Sequence, residues 1–402
     1  MATVLKICWG PWENASRDKR EMSVYRDLGY DVIVMAAGNQ GDKGRIGSID
    51  SFPVRFYSMN PLGIKCPIRI NQLASLLTWS RYARKYHADI ISGHDFTGWM
   101  IGWKSVWFKR KKPLFIYDAH EFEIGRNTKR GRVRRKIIRT IEKYILKKSA
   151  FSIVVNDSIA DEMKREYKLD ERPLVVRNTP NQWIIDKKIC DETRRGILDC
   201  INLKRDSKCG IIDISEQKES AFIVMYHGAL FPDRGIESLI KVLAINPDMF
   251  GFILGNGNDE YIAGLKALVE ELKVADRCCF HTAVPLPELW KYLGAVDLSY
   301  SMIVGHSKSY YLSLPNKFFE SIQAETPIIA SAYPEMKHLV DKYHIGLTAD
   351  PENIDEINMC IERFRQDERF YSECKRNLLV AKKELCWENE KKKLQAKVAG
   401  LI

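Results

Sequence analysis

Short apolar runs alternate with segments of helical periodicity along this chain, and that alternation is what most constrains its fold. Val4-Leu5-Lys6-Ile7-Cys8-Trp9 reads as a strand, Gly10 to Asn14 as its loop, and Arg17 to Leu28 as a helix closed by Gly29. The strand pattern returns at Asp31–Met35, Ile90–Ser92, Leu114–Asp118, Phe151–Val155 and Leu174–Val176. After a gap it resumes at Phe222–Tyr226, Phe252–Leu254, Cys278–Phe280, Leu298–Tyr300 and Ile328–Ala330. Strands interleaved with helices predict a doubly wound, mostly parallel α/β sheet, and 402 residues are too many for one ordinary core. The expected division is a first domain over 1–185, a second over 221–383, and a final helix over 384–402. The charged stretch 186–220, with Cys190, Cys200, Cys209 and weak periodicity, reads as a linker enlarged by an insertion.

Composition narrows the class. Hydrophobic residues make up 45% of the chain, as in globular proteins. Ten cysteines without a Cys-x-x-Cys pair point to reduced thiols and a cytoplasmic setting. No apolar run reaches the roughly 18 residues of a spanning helix, so the expected protein is soluble or peripheral on the inner face of a membrane. Charge is uneven: residues 1–181 hold 34 Lys/Arg against 19 Asp/Glu, and the remainder holds 29 against 33. The basic first half is expected to meet something anionic, and a membrane surface is one candidate. The segment Arg132–Lys148 presents Ile137, Ile141, Tyr144 and Ile145 on one face and Arg132, Arg135, Lys136, Arg139 and Lys143 on another.

The densest chemical signal is Leu314-Pro315-Asn316-Lys317-Phe318-Phe319-Glu320, followed by Ala324-Glu325-Thr326-Pro327 and Ile328–Ser331. It reads as a loop, a helix with Lys and Glu near its start, a turn and a buried strand. A helix N-terminus beside strand ends favours phosphate through its free N–H groups and dipole. Lys317 adds a cation, and Glu320 offers acceptors to a ribose diol. Upstream, Tyr226-His227-Gly228-Ala229-Leu230 with Asp233-Arg234-Gly235 reads as strand, loop and helix start. There Gly228 lets backbone approach a ligand, and Arg234 offers bidentate contacts to a diphosphate. No Asp-x-Asp, zinc spacing, Gly-x-Ser-x-Gly or Walker A loop is present, so no metal and no cofactor is expected.

These motifs, in this order, resemble the donor half of retaining family 4 glycosyltransferases of the GT-B fold: two facing Rossmann-like doubly wound domains with a cleft between them. The resemblance implies that Gly228, Arg234, Gly255, Gly257, Thr282, Val284, Asn316, Lys317 and Glu320 bind a nucleotide-sugar donor, UDP- or GDP-linked. It also implies that Arg234 and Lys317 stabilise the departing diphosphate. In the first domain, Tyr117-Asp118-Ala119-His120-Glu121 matches the family's Asp-x-His-Glu run, which puts His120 near the reacting sugar. Asn14, Arg17, His94 and Glu121 fall on the side expected for the acceptor, a glycan or lipid-linked hydroxyl. The chain departs from the family at Ala229, where a second Arg is common, and at Leu312, where the first Glu of a Glu-x7-Glu pair is common. The implied reaction is retaining sugar transfer in polysaccharide or glycoconjugate synthesis. A sugar-nucleotide epimerase on the same fold remains an alternative. A nucleic-acid-binding protein is a weaker one, resting on charge alone, and no nucleic-acid partner is expected.

Overall fold

The computed structural model describes residues 1–63, 68–126, 131–206 and 221–401. It divides into two compact units, Met1–Arg177 with Glu390–Ile402, and Asn178–Asn389.

The first unit is built on eight strands: β1 (Thr3–Ile7), β2 (Asp31–Gly38), β3 (Lys43–Ile49), β4 (Phe52–Ser58), β5 (Ile90–His94), β6 (Leu114–Ala119), β7 (Phe151–Val154) and β8 (Leu174–Val175). Their order is β3-β4-β2-β1-β5-β6-β7-β8, parallel except for β3, which runs antiparallel to β4. That β3–β4 hairpin turns through Asp50 and Ser51, both at positive φ, as a two-residue primed turn requires. The chain leaves β1 towards β2 and returns on its other side at β5, so the carboxyl ends of β1 and β5 flank a topological switch. The helix Asp95–Ser105 lies hard against this point: a side chain at Gly93 would meet the Trp99 backbone at 2.4 Å, and one at Gly98 would meet the Ile7 carbonyl at 2.5 Å.

The second unit carries β9 (Phe222–His227), β10 (Met249–Leu254), β11 (Cys278–His281), β12 (Leu298–Ser301), β13 (Ile328–Ser331) and β14 (Gly346–Ala349). The order β11-β10-β9-β12-β13-β14 is fully parallel, with its switch between β9 and β12. Helices on both faces seal these apolar strands, as buried parallel sheets require. Ile236, Leu239, Ile240 and Leu243 close one face; Phe318, Phe319 and Ile322 pack with Ile328, Ala330 and Leu339 in a second cluster.

The 186–220 stretch differs from its reading as a linker. Lys187–Asp206 is a helix of the second unit, and Ile197, Leu198 and Ile201 are buried with Phe252, Leu254 and Leu293. Its Arg194 binds Asp297 at 3.0 Å and the Ala295 carbonyl at 2.9 Å. The apolar positions do follow helical spacing, but charge on the remaining faces hides it. Residues 207–220 lie outside the described residues. At the other end, Glu390–Ile402 groups with the first unit, where Glu390 accepts from the Arg177 N–H at 3.1 Å and Lys391 pairs with Asp27 at 2.6 Å.

The helix Arg132–Lys148 also turns differently from its expected apolar face. Ile145, Leu146 and Glu142 are buried, whereas Ile137 and Tyr144 stay exposed.

Candidate functional site

In the second unit, the elements flanking the β9/β12 switch bring together most of the residues expected at the donor. β9 ends in His227, and Gly228 follows with φ at 123°, turning the chain over the sheet edge. Arg234 stands in the next loop, before the helix Ile236–Ile245. The helix Asn316–Gln323 begins after Pro315 and carries Lys317 on its buried side. Lys317 Nζ donates to the Met302 carbonyl at 3.2 Å and lies 4.4 Å over the Tyr226 ring. Burial first, and then the neighbouring Arg234 charge, pull this amine down to about 7, against the attraction of Glu320. The Arg234 guanidinium lies 5.4 Å over the Tyr310 ring. Among the described residues, neither cation has a carboxylate within ion-pair distance.

Glu320, one turn after Asn316, meets His227 instead: His227 Nε2 lies 2.9 Å from Glu320 Oε2. His227 is buried, and its contact occupies one carboxylate oxygen. Sequence reasoning passed over His227, although a polar residue ending an apolar strand was a visible signal. Asn316 is exposed and accepts from Asn178 at 2.8 Å.

Gly255 and Gly257, both expected at the donor, are packed tightly against the loop that follows β9. A side chain at Gly255 would strike the Gly228 carbonyl at 1.9 Å, and one at Gly257 the Leu230 carbonyl at 2.0 Å. The two loops are zipped by Gly228 N–H to Leu254 O at 3.0 Å and Leu230 N–H to Asn256 O at 2.9 Å. Asn256 also accepts from the Ala283 N–H at 3.0 Å, which ties in the exposed loop bearing Thr282 and the half-buried Val284. At Leu312, the position without the family's first Glu, the side chain is buried and follows a short helix whose cap is Ser307.

In the first unit, charged groups converge beside the β1/β5 switch. Lys6, wholly buried in mid-strand, reaches Asp18 at 2.6 Å, Asp118 at 3.0 Å and Glu21 at 3.5 Å. Arg17 binds Glu21 at 3.0 Å, Asp118 at 3.1 Å and the Val176 carbonyl at 2.8 Å. The guanidinium of Arg17, expected on the acceptor side, is engaged inside the fold by these contacts. Lys6, Asp18 and Glu21 escaped sequence reasoning, although a lysine inside Val4-Leu5-Lys6-Ile7 was a signal for a buried partner set.

Two imidazoles cap this network, each about one-fifth exposed. His94 Nδ1 meets Asp18 at 2.9 Å, His120 Nε2 meets Asp118 at 2.9 Å, and the two rings are 4.0 Å apart. Burial works against the His120 proton, but the Asp118 carboxylate prevails and lifts His120 to about 9. Glu21 is raised to about 7 by burial and by Asp118, and Asp18 and Asp118 are held below the usual carboxylate range by the cations around them. Asp18, His94, Asp118 and His120 gather ligand atoms within 4.8 Å, a donor set suited to a metal. The Lys6 ammonium, though, already stands against both carboxylates where a cation would bind. Glu121 pairs with Arg126 at 2.6 Å at the surface, and Asn14 lies in a turn with its side chain outside the described residues.

Two family models match the chain: "Glycosyltransferase Family 4" over residues 23–179 and "Glycosyl transferases group 1" over 211–378. The chain belongs to the family 4 glycosyltransferases. Solved structures place the fold of this glycosyltransferase in the GT-B class. Sucrose-phosphate synthase from Thermosynechococcus elongatus is 17% identical with a TM-score of 0.75, over 100% of this chain and 99% of that one. Anabaena HepE in complex with UDP-glucose is 15% identical with a TM-score of 0.74, over 100% of both chains. WaaG, a glycosyltransferase involved in lipopolysaccharide biosynthesis, is 15% identical with a TM-score of 0.68, over 98% of this chain and 100% of that one. A comparison with curated proteins yields no match.

Proposed function

We propose that this glycosyltransferase moves a sugar from a UDP- or GDP-linked donor to an acceptor hydroxyl with retention of configuration, in polysaccharide or glycoconjugate synthesis. The observation that carries the reading is the pair Lys317 and Arg234, two cations without carboxylate partners among the described residues, beside a helix start at a sheet switch. A diphosphate supplies the missing negative charge. UDP-glucose in the HepE structure supports a UDP-linked donor.

In this scheme Glu320, steadied by His227, accepts from the ribose diol. As the bond from the anomeric carbon to the diphosphate oxygen breaks, Arg234 and Lys317 stabilise the negative charge that develops on the leaving group. The acceptor hydroxyl bonds to the same face of the anomeric carbon, and its proton passes to the departing phosphate oxygen. His120, held protonated by Asp118, offers a hydrogen-bond donor to a sugar hydroxyl. Charge compensation by side chains means that no divalent metal is required.

The test is incubation with UDP-glucose, UDP-galactose and GDP-mannose, following nucleotide release and the anomeric configuration of the product by NMR. Release after chelation, lost in Glu320→Ala, is the expected result. An epimerised donor in place of transfer, or full dependence on added magnesium or manganese, would refute the scheme.

A further inference from the structure

The first unit has an exposed aromatic and basic patch at the sheet edge opposite the imidazole pair. The helix Asp95–Ser105 ends in a turn at 106–108, and Lys109-Arg110-Lys111-Lys112 leads from there into β6. Trp107 is 58% exposed and Phe108 84%. Rings that large, side by side and wet, mark a contact surface more often than chance exposure. The helix Ile68–Ala83 extends the patch, because Leu73, Leu77, Arg81 and, just beyond its end, Arg84 recur at helical spacing and all are exposed. The Arg84 guanidinium lies 5.7 Å over the Phe108 ring and Lys104 Nζ lies 5.1 Å over Trp107. Lys109 Nζ donates to the Tyr86 carbonyl at 3.0 Å, which fastens the turn to the neighbouring helix end.

Charge around these rings has one sign. From Ser51 to Ala88 and from Phe96 to Tyr117 the chain has no Asp or Glu, while the two stretches hold 6 and 5 Lys/Arg. Burial and the nearby Arg84 charge both pull the Lys109 amine below its ordinary value, as expected where cations crowd without counter-charge. A second copy of this surface would set like charges face to face. A bilayer interface with anionic headgroups meets both demands: it takes amphipathic rings at headgroup depth and pairs lysine and arginine with phosphate.

We propose that this patch docks the protein on an anionic lipid bilayer, with Trp107 and Phe108 entering the headgroup–acyl boundary and Arg84 and Lys109–Lys112 lying against lipid phosphates. Among the described residues no helix is long and apolar enough to cross a membrane, so attachment at this surface is peripheral. The turn precedes β6 and therefore lies at the amino edge of the sheet, which leaves the carboxyl ends bearing His94 and His120 uncovered. The proposal puts docking at this patch and not at the helix Arg132–Lys148, where Arg139 is paired with Glu166 at 2.6 Å.

Flotation with phosphatidylcholine vesicles, with and without phosphatidylglycerol, tests the proposal at low salt. Wild type should float only with the anionic vesicles, and Trp107→Ser/Phe108→Ser should weaken that binding about tenfold or more. Neutralising Lys109, Arg110, Lys111 and Lys112 with glutamine should weaken it further, at about fivefold per charge. The same change at Arg132, Arg135, Lys136 and Arg139 should cost less than the aromatic variant. Unchanged thermal melts show that the variants fold, and this readout does not depend on any sugar donor. Absent binding, equal binding to neutral vesicles, indifference to the aromatic variant, or a dimer abolished by it would each overturn the proposal.

Discussion

In the first unit, Lys6, Arg17, Asp18, Glu21 and Asp118 are buried with opposite charges 2.6–3.5 Å apart. In the second, Lys317 and Arg234 face no such partner among the described residues. Both arrangements sit beside a switch in strand order, so topology alone does not separate them. The difference lies in whether the fold itself completes the charge balance. A completed network leaves no charge for a ligand to balance and holds its two imidazoles by hydrogen bonds. An incomplete one is a receptor for the charge it lacks.

The largest expected effect comes from breaking the completed network. Lys6→Met removes the cation shared by Asp18, Glu21 and Asp118 and should lower the unfolding free energy by about 3–5 kcal/mol, read by urea denaturation. A loss below about 1 kcal/mol would mean that the network is not a unit. Lys317→Met should behave in the opposite way. Removing a buried cation without a carboxylate partner should leave the unliganded protein as stable or more stable. UDP binding should nevertheless weaken by about 2–3 kcal/mol, roughly 30- to 150-fold, in a binding titration. If Lys317→Met destabilised the free protein as much as Lys6→Met, the contrast between the units would fail.

A smaller effect, on the order of 1 kcal/mol, is expected from pH. His120 is raised from 6.5 to about 9, so its stabilising contribution is full below its unfolded value and is lost as pH rises through 9. Glu21, raised from 4.5 to about 7, adds a loss of the same sign at lower pH. Lys317 is lowered from 10.5 to about 7, so the native second unit binds fewer protons than the unfolded chain between those values and gains stability as pH rises. Hydrogen exchange resolved by peptide should therefore show opposite trends in the two units from about pH 7 to 9. Parallel trends would break the comparison.

The receptor was more legible in the sequence than the completed network. Asn316-Lys317-x-x-Glu320 lies in one short segment whose helix, turn and strand signals all agree, and Gly228 and Arg234 follow a strand in the expected order. The network joins Lys6, Arg17, Asp18, Glu21 and Asp118 across three elements, and only the sheet order makes them neighbours. Arg17 read as a free acceptor group because its partner Asp118 is 101 residues away. Gly255 and Gly257 were recognised as site residues, but their packing against carbonyls of another loop is long-range information. The helix Lys187–Asp206 was lost because charge dominates its composition while its core contacts come from later strands, at Ile223 and Met225 and at Phe252 and Leu254.

The central claim, that the unbalanced cations of the second unit await a diphosphate, is tested most directly by calorimetric titration of UDP at about pH 8 in buffers of different ionisation enthalpy. An amine poised near neutrality must take up a proton when a diphosphate arrives. The prediction is saturable one-site binding whose heat differs between buffers by the proton taken up, with that difference abolished in Lys317→Met. Heat that is the same in every buffer, or no binding at all, would contradict it.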